Sequence, residues 1–348
     1  MTKEHVLLHE IREQPNAIRD TLFMERRQIS HTANALGRRH LHFLGMGSSY
    51  LASLYAKYLL QELAQRRVET HLASEFIHYP PALERSDVFV AISQSGESIE
   101  TVKAAEFLKR KHVPILGITN DSRSKLAKLS NQLLITHAGK ERCSSTKTFT
   151  STLALLHDFA TATALHAGRI DERRQGLLSN SLMRTVLSLE KRLGGWEEAS
   201  RLWASRLASC RSVMVVGRGP NVVAALQGAL LLKEIAKIPA EGMSGGEFSH
   251  GPIEATSNQM AVVVLGGGRT GRLQSKLAHR TNSLGGRVLM VAPREVRGID
   301  SISFGEGDEA LTIFPCIVVL NLLAYYAAIK NGLNPDKFSI ISKITRRE

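Results

Sequence analysis

The chain has 348 residues, 43% of them hydrophobic and 22% charged, and carries a formal net charge of +13. That length suits two domains, and the balance, with sparse proline and no polar low-complexity tract, excludes a disordered protein. Three scattered cysteines (Cys143, Cys210, Cys316) with no CxxC pair exclude a disulfide framework and a cysteine zinc site, and the basic clusters, such as Arg38-Arg39 and Lys109-Arg110-Lys111, lack interleaved aromatics and so read as solvated helix faces, not a nucleic-acid surface.

The N-terminus has no apolar segment of a signal peptide, and residues 1–36 read as a helical lead-in. Short apolar runs at 40–44, 69–73, 88–92, 113–118 and 133–136 then read as strands, and the stretches 50–65 and 99–111 between them as helices. A long helical stretch follows, roughly 147–207, and the domain boundary is expected inside it. Runs at 213–216, 261–265, 287–291 and 311–314 continue the strand pattern. Alternating strand and helix predicts an α/β chain with parallel sheets, helices on both faces and the strand C-termini along one ligand-binding edge. The longest apolar stretch, 314–329, is broken by Asn321 and is shorter than the about 20 residues of a membrane span. It reads as the buried helix of a soluble, cytoplasmic protein with no membrane partner.

The chain repeats itself at an offset of 172 residues, the distance from Gly45 to Gly217. Gly45-Met46-Gly47 matches Gly217-Arg218-Gly219, each after an apolar run and before a helical pattern. At the same offset Ser74-Glu75-Phe76-Ile77-His78-Tyr79-Pro80 matches Gly246-Glu247-Phe248-Ser249-His250-Gly251-Pro252, and Gly96 matches Gly268. Several matches in order without a gap indicate two copies of one unit. The expected organisation is a lead-in at 1–36, a first unit at 37–165, a second at 190–335 and a tail at 336–348.

In the first unit, Ser93-Gln94-Ser95-Gly96-Glu97-Ser98 lies between the third strand and a helix. Unpaired N–H groups at a helix start favour an anion, Gly96 permits close backbone approach, and Ser93, Ser95 and Ser98 add donors. The same residues also suit a polar turn with Ser98 as helix cap. Gly47-Ser48-Ser49 and Ser144-Ser145-Thr146 add hydroxyls at two further strand-to-helix turns, expected on the same sheet edge. There is neither a GxGxxG fingerprint nor a GxxxxGK[ST] loop, so no nucleotide cofactor is expected, nor a metal. The second unit has Gly266-Gly267-Gly268-Arg269-Thr270 in place of the serines, which predicts one phosphate site per chain.

The second unit offers proton-transfer groups instead. A largely apolar helix ends with Lys233 and Glu234, and a carboxylate there is either tuned upward by desolvation for general-base work or is the exposed end of a core helix. His250, between Ser249 and Gly251-Pro252, is expected to be displayed on a sharp turn, or else bonded to backbone as a structural residue.

Together these segments resemble the SIS (sugar isomerase) domain family, and within it the isomerase half of glutamine–fructose-6-phosphate aminotransferases. The likeness rests on 10–18, Gly47-Ser48-Ser49-Tyr50, Ser74-Glu75-Phe76, the Ser93–Ser98 turn, Ser145-Thr146-Lys147, Gly217-Arg218-Gly219, Leu232-Lys233-Glu234-Ile235, the Gly246–Pro252 segment and Ser342-Lys343. The resemblance implies two tandem flavodoxin-like three-layer units. It implies that Ser48, Ser49, Ser93, Gln94, Ser95 and Ser98 hold a sugar phosphate, and that Ser145 and the backbone at Cys143 contact the sugar. By the same likeness Glu234 moves a proton between C1 and C2, His250 assists ring opening in the neighbouring subunit of a homodimer, and Lys343, in a closing tail, forms a Schiff base with an open-chain ketose.

The chain departs from the relatives' pattern at Leu231, where a second Lys is common, and at Ser339-Ile340, where Arg-Asn is common. It also carries no glutaminase domain. The resemblance therefore implies an enzyme acting on a hexose 6-phosphate by aldose–ketose isomerisation. The leading version is an amino-sugar-phosphate deaminase/isomerase that converts glucosamine 6-phosphate to fructose 6-phosphate and ammonia, or runs in reverse. The alternative is a non-catalytic sugar-phosphate-binding regulatory protein, which needs the serine cradle but not Glu234, His250 or Lys343.

Overall fold

The computed structural model describes residues 4–338 and 340. The chain divides into two compact units, one formed by Asn16–Glu141 and Lys147–Met183, the other by Met1–Pro15, Arg142–Thr146 and Arg184–Ser339. In chain order the elements are α1 (Val6–Arg12), α2 (Gln14–Leu36), β1 (His40–Gly45), α3 (Gly47–Ala64), β2 (Val68–Leu72), α4 (Ala73–His78), β3 (Asp87–Ile92), α5 (Ile99–Arg110), β4 (Ile115–Thr119), α6 (Lys125–Leu129), β5 (Gln132–Ile135), α7 (Lys147–His166) and α8 (Glu172–Ala208). There follow β6 (Ser212–Gly217), α9 (Asn221–Ala236), β7 (Ala240–Ser244), α10 (Gly245–Ser249), β8 (Met260–Leu265), α11 (Gly271–Ser283), β9 (Arg287–Ala292), β10 (Asp300–Ser303) and α12 (Ile313–Lys330).

Each unit is built on a five-stranded parallel sheet. The orders are β2-β1-β3-β4-β5 and β7-β6-β8-β9-β10, one topology used twice. The repeat extends to backbone conformation. Gly47 and Gly219 both have positive φ (49° and 56°), and α3 and α9 both end on a left-handed residue, Gln65 and Lys237, at the same offset. Inner strands such as β8, Met260-Ala261-Val262-Val263-Val264-Leu265, are continuous apolar runs, because the middle of a parallel sheet is covered on both faces. In the N-terminal sheet the alternate residues Leu44, Phe89 and Ala91 meet Phe76 of α4 and Ala104, Ala105 and Leu108 of α5, while α3 and α7 pack together elsewhere in that unit. In the C-terminal sheet Val216, Val262, Val264 and Met290 pack with Phe248 of α10 and Leu277 of α11. Helices α9 and α12 pack on each other, and both are apolar around most of their circumference, as buried helices must be.

The sheet architecture matches the sequence expectation, and four details differ, the first being β7, an edge strand that no expected run covered. The stretch read as one helix from 147 to 207 is two, broken at Gly168 with its positive φ of 66°. The run at 311–314, read as a strand, is a 3₁₀ turn leading into α12, since a short apolar run does not by itself distinguish strand from buried helix. The fifth strand is instead β10, Asp-Ser-Ile-Ser, supported by indole N–H donors from α8: Trp196 to the Ser303 carbonyl (3.0 Å) and Trp203 to Asp300 (3.1 Å). The helical stretch Glu309–Lys330 is long and apolar enough to cross a membrane, yet most of it is buried inside the protein, as a core helix is.

Segments from both ends of the chain join the C-terminal sheet unit. The Asp336 carboxylate accepts the Val6 and Leu7 amides at the start of α1 (3.0 and 2.9 Å), a cap that His5 at the preceding position does not supply. Glu10, on the same helix and 3% exposed, accepts the amides of Arg142 (2.5 Å) and Cys143 (3.2 Å). Residues Arg142–Thr146, which carry the Ser144-Ser145-Thr146 turn after β5, group by their contacts with the C-terminal sheet unit, where Glu10 holds the residues leading into the turn.

Candidate active site

In an order of 2-1-3-4-5 the chain turns in opposite directions after the first and third strands, and a crevice opens between those strands at their C-terminal ends. In the N-terminal unit these are β1 and β3. The turns leaving them hold Ser48 and Ser49, in the first turn of α3, and Ser93, Gln94, Ser95 and Ser98, between β3 and α5. The topology therefore brings these six predicted residues to one crevice of one unit.

The serine turn is fixed by its own hydrogen bonds. The Gly96 amide donates to the Ser93 hydroxyl (3.1 Å), the Ser93 hydroxyl to Ser98 (3.3 Å), and the Glu97 amide to Ser95 (3.1 Å). Ser98 stands at the N-cap position of α5 but makes no side-chain cap bond, so its hydroxyl is not used up as a simple cap. The Gln94 carbonyl accepts the Asn120 amide (3.0 Å) and the Thr119 hydroxyl (3.2 Å), and the Gly96 carbonyl accepts the Leu126 amide (3.0 Å). Glu97 folds outward onto Lys125, accepting its amide (2.8 Å) and lying 3.3 Å from its ammonium. Gly96 has φ +64°, and a Cβ there would lie 2.1 Å from the Ser124 hydroxyl, so only glycine lets the turn seat against α6.

The equivalent turn of the C-terminal unit is different. Gly268 is covered by Glu309, whose Cγ would lie 2.3 Å from an added Cβ, and Glu309 also pairs with Arg269 (2.6 Å). Glu309 thus fills the space over Gly268 that the N-terminal turn leaves to Ser124 and Thr119.

The C-terminal unit gathers another set. Glu234 is half-buried near the end of α9, and Lys233 beside it is exposed. Two helical turns earlier on the same face, buried Gln227 donates to the Ser145 carbonyl (3.4 Å). The helix that presents Glu234 therefore also steadies the turn that presents Ser145. Cys143 is buried, with its Sγ 3.8 Å from the Asp336 carboxylate. Lys343 and Ser339 lie outside the described residues; Leu231 is fully buried. His250 is exposed, as expected of a displayed residue, and follows α10, capped by Ser244 accepting the Glu247 amide (3.1 Å). Gly251 follows with φ +146°.

Sequence reasoning missed three positioning residues, Glu10, Gln227 and Asp336. Glu10 lay inside a segment that carried the family likeness, but a buried carboxylate gripping loop amides 132 positions away leaves no local pattern.

A family model described as SIS domain matches residues 36–162 and 206–294, one match on each sheet unit. The chain is 33% identical over 342 residues to the isomerizing glutamine–fructose-6-phosphate aminotransferase of Thermococcus kodakarensis, covering 96% of this chain and 56% of that protein. It thus spans little more than half the length of that relative. Among solved structures it is similar to the C-terminal domain of glucosamine-fructose-6-phosphate aminotransferase from Francisella tularensis (TM-score 0.88, 24% identity, 97% of this chain and 99% of that one). It is also similar in fold to glucosamine-6-phosphate deaminase from Thermotoga maritima (TM-score 0.77, 23% identity, 97% and 98% covered). With two matched segments on two sheets of one topology, the chain belongs to the SIS domain family.

Proposed function

We propose that the chain is a phosphosugar enzyme that shifts a hexose 6-phosphate between aldose and ketose forms, with glucosamine 6-phosphate and fructose 6-phosphate plus ammonia as its first candidate pair. The observation that carries this reading is the division of labour between the two units. One has a hydroxyl-rich turn at its switch-point crevice, and the other has a helix that holds Ser145 and presents a carboxylate. Similarity to the isomerizing aminotransferases over nearly the whole chain supports it.

In this reading Ser48, Ser49, Ser93, Gln94, Ser95 and Ser98 grip the phosphate, whose binding energy orients the reacting end of the sugar. Ser145 and the Cys143 backbone position the sugar. His250 donates a proton to the ring oxygen as the ring opens and, being exposed, serves a neighbouring copy of the chain. Glu234 removes the proton at C2 of the open-chain amino aldose and returns one at C1, giving the 2-imino compound. One water then hydrolyses the imine, leaving the ketose and releasing ammonia. Lys343 holds the open-chain ketose as a Schiff base. A cytoplasmic setting, with Cys143, Cys210 and Cys316 as free thiols, is part of the same reading.

The test incubates the protein with glucosamine 6-phosphate and assays ammonia and fructose 6-phosphate. Glu234→Gln is expected to retain the thermal shift caused by the sugar phosphate while losing turnover by about 10²–10⁴-fold. A mixture of Glu234→Gln and His250→Ala is expected to regain part of the lost activity, because mixed dimers hold one site with both residues intact. Binding by the wild type without turnover on any hexose phosphate would place the chain among sugar-phosphate sensors instead.

A further inference from the structure

We propose that the N-terminal sheet carries a site for a divalent transition-metal ion of the zinc class, formed by His42, His71 and Glu69 and braced by Asp87. It is separate from the serine turns and independent of the isomerase reading.

The placement follows from strand periodicity. Side chains two apart on a strand share a face, so His40 and His42 of β1 point one way, as do Glu69 and His71 of β2. Register sets His42 opposite Glu69 and His40 opposite Asp87 of β3. His42 stacks on Phe89 (4.6 Å, 15°) and His71 meets Phe76 edge-on (5.9 Å), so this polar group stands on the face otherwise lined by Leu44, Phe89 and Ala91. His42 and Asp87 are 3% and 1% exposed, and burying such groups is costly without a compensating interaction.

The distances suit an ion. His42 Nδ1 lies 3.1 Å from His71 Nε2 and 3.7 Å from Glu69 Oε2, and His71 Nε2 lies 3.8 Å from Glu69 Oε2. Tetrahedral bonds of about 2.0–2.2 Å separate neighbouring ligand atoms by roughly 3.3–3.5 Å, so small side-chain shifts complete the coordination. On the other side of the ring, His42 Nε2 is 3.3 Å from Asp87 Oδ1, and neither atom has a hydrogen-bond partner. A cation on Nδ1 leaves the ring proton on Nε2, facing Asp87, which is the carboxylate–histidine–metal arrangement that orients such ligands. Asp87 is itself held by the Glu84 amide (2.7 Å). Glu69 is half-exposed, which gives the ion a path in and leaves a fourth position for water. Two imidazoles and one carboxylate favour zinc and its neighbours over magnesium or calcium.

The experiment titrates Co(II), as a spectroscopic stand-in, into the chelator-treated, tag-free full chain, then adds Zn(II). One equivalent is expected to produce the visible band of tetrahedral Co(II), and Zn(II) to abolish it and raise the melting temperature. Glu69→Ala and His71→Ala, both at partly exposed positions, are expected to lose the band while keeping the wild-type circular dichroism spectrum. Asp87→Asn is expected to weaken binding by about 10–100-fold without removing the band, and the exposed His279→Ala to change nothing. No one-equivalent transition in the wild type, or one that persists in Glu69→Ala and His71→Ala, overturns the proposal.

Discussion

Replacing Gly96 by alanine separates two costs that the serine turn imposes on its backbone. The first is conformational: a residue other than glycine at φ +64° loses about 1–2 kcal/mol. The second is steric. The new Cβ would lie 2.1 Å from the Ser124 hydroxyl, 2.5 Å from Ser124 Cβ and 2.9 Å from the Thr119 hydroxyl. The hydroxyls can rotate away, but Ser124 Cβ sits on the backbone that caps α6, so the turn itself must move, at about 1–3 kcal/mol. Gly47 isolates the first cost, since it has φ +49° and nothing within 4 Å of an added Cβ. Gly96→Ala is therefore expected to destabilise by roughly 2–5 kcal/mol and Gly47→Ala by roughly 1–2 kcal/mol, read from urea midpoints at unchanged slope. Adding Ser124→Gly to Gly96→Ala removes both overlapping Ser124 atoms and costs only a few tenths of a kcal/mol as a cap, so it should recover about 1–3 kcal/mol. Equal destabilisation by the two alanines, or no recovery in the double variant, would refute the reasoning.

Three further outcomes follow from the packing. Asp336→Ala removes the carboxylate that receives the Val6 and Leu7 amides, and should cost about 1–2 kcal/mol in a denaturation midpoint, whereas Asp336→Asn should cost less. Gly228→Ala places a methyl 2.7 Å from Leu320 Cδ1, between α9 and α12; overpacking of about 1–3 kcal/mol should outweigh the gain of about 1 kcal/mol in helix propensity, with Leu320→Val restoring part of the loss. Asp158 is held above the ordinary carboxyl pKa by burial, only partly offset by the Ser179 hydroxyl and Arg26. The native state then binds that proton more tightly than the unfolded chain, so its contribution to stability is greatest in acid and is lost as pH rises through the native value. Asp158→Asn should accordingly be more stable than wild type at about pH 7, with the gap closing toward about pH 4; a gap of constant size in thermal melts would contradict the assignment.

Much of the fold was legible because the chain states it twice. The Gly-x-Gly turns, the Glu-Phe-x-His segments and the alternation of apolar runs with helical stretches gave two parallel α/β units, and the six residues of the two hydroxyl-rich turns fell at one crevice because switch points follow from strand order. The β7 strand escaped notice because Ala-Glu-Gly-Met-Ser has little strand character, although moving the 69–73 run forward by the repeat offset lands almost on it. Gly242 in that strand answers to packing instead, since a Cβ there would lie 2.4 Å from the Ala225 carbonyl of α9. The tie between Glu10 and the residues leading to Ser145 was hidden for a different reason: no periodicity within a window reports a partner so far along the chain. The histidine cluster was hidden similarly: His-x-His and Glu-x-His on separate strands mean little until register sets them side by side.

The grip of Asp336 on α1 also bears on how the molecule is made. The amides of Val6 and Leu7 are synthesised some 330 positions before their partner, so that unit cannot be completed until Asp336 has been made. The Asn16–Met183 region holds all five strands of its own sheet and can begin to fold early. A nascent chain would therefore carry one settled sheet together with an uncapped leading helix and apolar α9, a stage at which stalled or truncated products are prone to aggregate and to need chaperone protection.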